Sequence, residues 1–460
     1  MKVRILQIKI LTVLLLGIFT FTSTAYAASP LDEVRELLQR YYVDELDEEI
    51  LEEPTIEEML EHLDPYTAYL TKEELQTFVD SIEQSYVGIG IMIEKGERGV
   101  RVTNVFPNSP AAQSGILIDD ELIAINGEET AEMELEEVTG KIKGEAGTTV
   151  MLTLQHAETI TPYIIQLTRE NIQLSSVTAE KLGGNIGYMN VSVFNEQTVP
   201  EMKKALREME DVKKWIVDLR NNPGGYVTAS QRMIGLFPEV KNALIVESRV
   251  SNYTLPAFVQ TTQFQRKPAV LVNDMSASAS EVVAGAVKDA NAATLYGETT
   301  YGKGLMQALY ELSDESALKI SNARFYTPKH NKINEQGIDP DVETETPLVD
   351  AHLAMLLEDY KEYHGLEPLE KIDPEKAIDI RFTQPIDKDT ISTDTIQLIE
   401  LGGGEVDYTS QLIDKRTLSI QSTDPLKAGS QYILVVHPNW KTTSKETASQ
   451  GIYVQVLVNE

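Results

Sequence analysis

The sequence predicts a multidomain α/β protein, with a strand–helix core preceded by a helical lead-in and a small α+β unit and followed by an all-β unit. Three observations predict it. Apolar residues recur at helical spacing near the start, and at Tyr86 the period switches to alternation. Beyond Thr168 strand and helix patterns alternate, until the last 90 residues turn Thr/Ser/Asp-rich with many short alternating runs. With 460 residues, 42% of them apolar, the chain has material for about three cores.

Residues 1–27 read as a signal peptide. Lys2, Arg4 and Lys9 open it, residues 10–21 are largely apolar, and Ala25-Tyr26-Ala27 is a small-x-small cleavage pattern. Removal after Ala27 and export to the envelope or extracellular space are expected. Retention as an anchor is the other reading, which the polar Thr22-Ser23-Thr24 weakens. Residues 28–78 read as helical from Leu31, Val34, Leu37 and Leu38, with the acidic stretch 45–61 as a solvated face.

Residues 79–168 alternate as short strands with Gly and Asn turns (Val87, Ile89, Ile91, Ile93), and residues 169–370 form the α/β core. In the core, Trp215-Ile-Val217 and Pro268-Ala-Val-Leu-Val-Asn273 are apolar strands, each followed by a turn and a helical stretch. Residues 371–460 read as an independent β-sandwich, so a chain ending near Lys371 is expected to fold without it.

Charge and composition exclude whole classes of function. Forty basic against 72 acidic residues leave a net charge of −32, which repels nucleic acid and anionic membrane. The absence of cysteine removes disulfides, thiol nucleophiles and thiolate metal sites. No two of the six histidines stand at a ligand-like spacing, so neither a metal centre nor a Ser-His-Asp triad is supported. No cofactor is expected.

Ser278 follows an apolar strand and precedes a helix, where free amides and the helix dipole favour developing negative charge. Ser278-x-x-Glu281 is equally a capping box. Twenty-five residues on, Gly302-Lys303-Gly304 offers a lysine base that the flanking glycines let approach. Gln307 lies one turn further if the segment is helical, placed to hold the amine. Asp218-Leu-Arg-Asn-Asn-Pro-Gly-Gly225 follows a strand, and its paired glycines suit an oxyanion hole.

In order, Asp218-Leu-Arg-Asn-Asn-Pro-Gly-Gly225, Ser276-Ala-Ser-Ala-Ser-Glu-Val-Val-Ala-Gly-Ala286 and Gly297-Glu-Thr-Thr-Tyr-Gly-Lys-Gly304 resemble the signature blocks of the carboxyl-terminal processing peptidases. Leu63-Asp-Pro-Tyr-Thr-Ala-Tyr-Leu70, Phe325-Tyr-Thr-Pro328 and Gly337-Ile-Asp-Pro-Asp341 extend the likeness from about residue 31 to about 342. The resemblance implies a ClpP/crotonase-like core and a serine endopeptidase. Its nucleophile falls on Ser278, its general base on Lys303 and its supporting glutamine on Gln307. Its oxyanion donors fall on the amides of Gly225, Gly224 and Ala279. Asp289 matches a further family position and is read as structural.

Tyr86-Val-Gly-Ile-Gly-Ile91, Ser109-Pro-Ala-Ala-Gln-Ser-Gly-Ile116 and Asp120-Glu-Leu-Ile-Ala-Ile-Asn-Gly127 resemble a PDZ domain. That implies a carboxylate-binding loop at Val87, Gly88, Ile89 and Gly90, whose amides form a nest, and peptide substrates with free apolar C-termini. Lys143-Gly144 stands where many members carry Arg-Gly, which costs the planar fork that couples the domain to catalysis in the family. Residues 371–460 loosely resemble bacterial Ig-like modules. The family leaves a homo-oligomer open.

Rival motifs fail on chemistry. Gly297 to Lys303 is spaced as a phosphate loop, but Gly304 replaces the Mg²⁺-binding hydroxyl. Ser316-Ala-Leu-Lys319 is an S-x-x-K motif whose strand-like alternation puts its two ends on opposite faces. The expected function is an exported endopeptidase with a Ser278–Lys303 dyad. The alternative is a catalytically weak PDZ scaffold.

Overall fold

Parallel strands buried on both faces need apolar residues throughout, and the two apolar runs of the core supply them. In a computed structural model that describes residues 29–96, 99–159, 161–392 and 394–459, Lys214–Asp218 and Ala269–Val272 are buried along their whole length. Residues 1–27, read above as a signal peptide, lie outside the described residues. The two strands sit centrally in a six-stranded sheet ordered Val177–Leu182, Ile186–Val191, Lys214–Asp218, Ala269–Val272, Thr294–Gly297, Val342–Glu343, antiparallel at the first pair and parallel thereafter. Val217, Val270 and Val272 point to one side, where the helices Thr198–Glu208, Val227–Ile234 and Ala279–Asp289 cover them. Ile216, Ala269 and Leu271 point to the other, under the helix Pro347–Asp359.

A second sheet of five strands lies beside the helical layer. Its central strand, Ala317–Tyr326, pairs with Ala68–Leu70, Asn242–Glu247 and Leu305–Glu311. Leu305–Glu311 corrects the helical expectation for Gln307: the four-residue spacing from Lys303 belongs to a loop entering a hairpin strand, not to a helical turn. The N-terminal helices Pro30–Tyr41 and Ile56–Glu61 pack Val34, Leu38 and Met59 onto Leu318 and Ile320 of this hairpin.

The helix Lys72–Glu83 opens with a Thr71/Glu74 capping box and stops at Gln84, which takes a left-handed conformation (φ 54°). There the chain enters the strand-rich unit along Ser85–Gly88 and returns along Glu170–Gln173, two strands paired as an antiparallel neck. The unit has its own sheet and core, around Val102, Leu122, Ile125, Val138 and Leu152.

The C-terminal residues form two sheets, one of five strands centred on Gln431–Val436 and Ile452–Val458, one of three centred on Thr417–Ser422, sharing the cluster of Leu398, Leu418, Ile420, Leu434 and Val456. This region is not independent of the core. Ile399, Leu401, Ile433 and Val435 face away from that cluster and join Leu356, Met355 and Leu271 in a second one. The strand Gln431–Val436 is thus buried on both faces, and removing it uncovers apolar surface on the helix Pro347–Asp359. No helix among the described residues is long and apolar enough to cross a membrane.

Two neutral histidines tie this seam. His352, fully buried, hydrogen-bonds Gly183 O through Nε2 (2.9 Å) while its Nδ1 accepts from the Gly402 amide (2.9 Å). One nitrogen must donate and the other accept, which only the neutral ring does. His437 bridges the Tyr363 hydroxyl (2.8 Å) and Gln397 Oε1 (2.9 Å). Burial lowers both pKa values below the ordinary imidazole range.

Because the folded values are depressed, the unfolded chain binds more protons as the pH falls below about 6.5, and stability is lost over that descent. Thermal melts between about pH 7.5 and about pH 5.5 are expected to decline more steeply for the wild type than for His352→Gln, whose amide keeps a donor and an acceptor without titrating. Equal declines would show that the seam does not sense pH.

Candidate active site

Three sequence-distant blocks meet because each follows the carboxyl end of a neighbouring parallel strand: 219–225 after Lys214–Asp218, 273–278 after Ala269–Val272, and 298–304 after Thr294–Gly297. The crevice outside such strand ends is where open α/β sheets place their sites.

One side chain ties two of these loops together. Glu281 is fully buried, with no ion-pair partner among the described residues. Its Oε2 accepts from the amides of Ser278 and Lys303, both at 2.8 Å, and its Oε1 from the Gly302 amide and the Thr300 hydroxyl, both at 2.7 Å. The Ser-x-x-Glu box is real, but its carboxylate reaches past the helix start to the lysine loop. Burial raises the Glu281 pKa above the usual carboxylate range, with these four donors opposing the shift.

The serines divide by partner. Ser276 and Ser280 are fully buried and donate to Leu219 O (2.8 Å) and Asn222 O (2.9 Å), stitching the serine loop to the glycine loop. Ser278 is half-buried and lines the cavity. Its backbone is at φ 55°, ψ −111°, a strained conformation for a residue with a Cβ.

Gly224 packs against it so closely that an added Cβ would lie 2.9 Å from the Ser278 Cβ. At Gly225, with φ 136°, an added Cβ would lie 2.2 Å from Phe194 O. Gly224 as an amide donor is corrected: its N–H donates to Asn222 Oδ1 at 2.9 Å and is already spent. The amides of Gly225 and Ala279 make no such bond among the described residues, which leaves both able to donate to another acceptor.

Ser278, Lys303, Gln307, Gly224 and Gly225 line one cavity of about 630 Å³, whose other walls include Phe78, Ile82, Val282, Met306 and Phe325. Lys303 lies with its Nζ 4.9 Å from the centre of the Tyr66 ring. Its pKa is lowered first by burial and then by the charge of Lys319, against the opposite pull of Glu281 and Asp64. Gln307 donates to Leu305 O (2.7 Å) and Ser321 Oγ (3.4 Å) and makes no hydrogen bond to Lys303 among the described residues. Asp289 stands at the far end of the Ala279–Asp289 helix, accepting from Lys329 N and Asn331 Nδ2.

In the strand-rich unit, a groove of about 220 Å³ runs between Ile91–Gly96 and the helix Leu135–Ile142, lined by Tyr86, Ile91, Ile93, Thr139, Ile142 and Lys143. Of the expected loop, Val87 and Gly88 lie in the neck strand, paired with Asn171 and Glu170, so the turn proper is Ile89-Gly90. Gly90 is at φ 83° with Ser109 packed under it. The position read as a departure from Arg-Gly holds Lys143 5.7 Å from the Tyr86 ring centre, and the nearby buried guanidinium is that of Arg169, bonded to Ile142 O and Lys141 O.

Sequence reasoning missed Asn222, Thr300 and Lys319 as parts of the site. Asn222 and Thr300 lie inside the quoted blocks and Lys319 ends the S-x-x-K motif, but the local pattern gives none of them a role, since each acts through a neighbouring loop or strand.

Residues 185–344 match the family described as Peptidase family S41, and residues 76–155 match the PDZ domain. Carboxy-terminal processing protease CtpB of Bacillus subtilis is 32% identical over 328 residues, spanning 70% of this chain and 68% of that protein. A probable CtpA-like serine protease of Staphylococcus saprophyticus is 32% identical over 365 residues, spanning 75% and 73%. A solved photosystem II D1 C-terminal processing protease is 25% identical, covers 71% of this chain and 95% of its own, and has a TM-score of 0.45.

Glu281→Gln is expected to lower stability by about 1–3 kcal/mol, because one amide oxygen replaces two carboxylate oxygens and the new NH₂ faces donors. Turnover should fall by about 10²-fold or more as the serine and lysine loops separate. Urea titration and kcat/KM check this, and near-normal turnover would detach Glu281 from the site.

Proposed function

Because this chain belongs to the carboxy-terminal processing serine proteases of peptidase family S41, with a PDZ domain, we propose that it cleaves exported proteins through a Ser278–Lys303 dyad after capturing their C-termini. The single observation that carries the reading is the shared Glu281 oxygen, which holds the Ser278 and Lys303 backbones side by side at one cavity wall.

In the proposed reaction Ser278 Oγ attacks the scissile carbonyl while the neutral Lys303 amine takes its proton. The Gly225 and Ala279 amides stabilise the oxyanion. The lysine ammonium then returns the proton to the leaving amine, and a water, deprotonated by the same amine, releases the acyl group. Gln307 orients the lysine once its amide turns from Leu305. The apolar cavity walls suit an apolar substrate side chain beside the cut.

The C-terminus of the substrate docks, on this reading, at the turn Ile89-Gly90 with its side chains in the groove beside Ile91 and Ile142. The division into residues 1–27, 28–78, 79–168, 169–370 and 371–460 follows the same reading, with a ClpP/crotonase-like core and an Ig-like sandwich whose two sheets share one cluster. The basic and apolar start directs export.

Ser278→Ala and Lys303→Ala should each abolish cleavage of an unfolded protein substrate, typically by 10³-fold or more, and the double variant should be no worse than either. Retained activity in Ser278→Ala, or its loss only on replacing Ser276 or Ser280, would move the nucleophile. For the PDZ role, isothermal titration of full-length Ser278→Ala should show a peptide with a free apolar C-terminus binding and its amide losing most of that affinity. Gly90→Val should weaken the acid form, since its Cβ would meet Ser109. Equal affinities for acid and amide would falsify carboxylate recognition.

A further inference from the structure

Ser316-Ala-Leu-Lys319 stands out in the sequence and has no part in the reaction as drawn. Ser316 turns away to Asp314, as its strand alternation requires. Lys319 turns the other way, into the cavity lined by Ser278, Lys303 and Gln307. Its strand pairs with the hairpin strand that carries Gln307, with Leu309 opposite Lys319 and Ser321 opposite Gln307.

We propose that Lys319 is a positioning residue for this reaction: its ammonium group, sharing the cavity with Lys303, makes a second positive charge there unfavourable and so keeps the Lys303 amine able to accept the serine proton. The inference rests on the reading of Lys303 as the general base.

The charged groups around the pair support it. Neither lysine has an ion pair among the described residues. Asp64 is the nearby acid from the N-terminal segment, but its carboxylate is occupied by the Tyr66 amide (2.9 Å), the Thr67 amide (3.2 Å) and hydroxyl (2.7 Å), and the Ser321 hydroxyl (2.9 Å). Glu281, from the helix behind, spends both oxygens on backbone amides and Thr300. Tyr66, whose ring lies against the Lys303 Nζ, has its hydroxyl pKa pushed up to about 12, first by burial, and so faces the lysine as a neutral phenol.

Lys319 Nζ lies 5.0 Å from the Phe78 ring centre, whose face favours a cation. Two ammonium groups in one half-buried cavity repel, and the pair sheds one proton early. Lys303 is the one lowered by its neighbour's charge as well as by burial, whereas burial alone lowers Lys319.

The test is the pH dependence of kcat/KM for the full-length enzyme, Lys319→Met and Lys319→Arg on one unfolded protein substrate, with kcat and KM resolved. For Lys319→Met the rising acid limb should move to higher pH, costing roughly ten-fold near neutrality and recovering in alkali, with KM unchanged. Lys319→Arg keeps a permanent charge and should retain the wild-type limb or move it to lower pH. Recovery in alkali shows that the variant is folded. If Lys319→Met does not fold, an alkaline displacement in Lys319→Arg overturns the proposal by itself.

An unmoved limb in Lys319→Met overturns it, as does a loss at every pH that appears in KM, which would make Lys319 a contact for a substrate carboxylate. A wild-type profile without the limb, or activity in Lys303→Ala, would instead bring down the base assignment and this inference with it.

Discussion

The site depends on one buried anion. Glu281 takes four hydrogen bonds and no counter-charge, so its stability rests on donors that come from two loops at once. A carboxylate in the first turn of a helix also gains from the helix dipole. Neither contribution would survive if the loops moved apart, because an unpaired buried carboxylate costs several kcal/mol. The anion thus enforces the approach of the Ser278 and Lys303 backbones more firmly than a neutral cap could. Hydrogen bonds to charged groups, at about 1.5–3 kcal/mol each, exceed neutral ones.

The sheet brings these loops within reach, and the N-terminal segment completes the cavity. Phe78 and Ile82 of the helix Lys72–Glu83 form part of its wall, and the same helix continues through Gln84 into the neck of the PDZ unit. Its end is tethered to the core: Tyr226 OH donates to Glu83 Oε1 at 2.6 Å, and Asn195 Nδ2 donates to the carbonyls of Ile82 and Glu83 at 3.2 Å. A displacement of the PDZ unit about its neck therefore acts on a helix that touches both the core and the cavity wall. At the foot of this neck Lys143 stands with its Nζ 5.7 Å from the centre of the Tyr86 ring.

Much of this was legible in the sequence. The apolar runs 215–217 and 269–272 marked strands of the core, and the motifs that follow them marked the loops, whereas their parallel pairing came from the structure. The hairpin of Leu305–Glu311 and Ala317–Tyr326 was not legible: a lysine and a glutamine four apart look helical until the pairing of distant strands overrides local spacing. The spent amide of Gly224 depends on the side chain of Asn222 and carries no signature of its own. The C-terminal unit was read as free-standing because alternation reveals one buried face per strand. Residues 432–436 of the strand Gln431–Val436 are all apolar, and that continuous run was the available sign of a second buried face.

The strain at Ser278 shows why this arrangement needs both small neighbours and a charged partner. A non-glycine residue in such a backbone conformation costs of order 1–3 kcal/mol. The bond from its amide to the Glu281 carboxylate is of the same size, about 1.5–3 kcal/mol, so the two nearly cancel and the strained turn persists without large net cost. Relaxing the turn would break that bond and press the Ser278 Cβ against a loop with no room, since Gly224 already approaches it within the reach of one added methyl group. The backbone on each side closes the same space, since a Cβ added at Gly224 would also lie 3.0 Å from Ala277 O and 3.1 Å from Ala279 N. The strained conformation is thus over-determined by its surroundings, and it leaves Ser278 lining the cavity while the Glu281 carboxylate holds its amide.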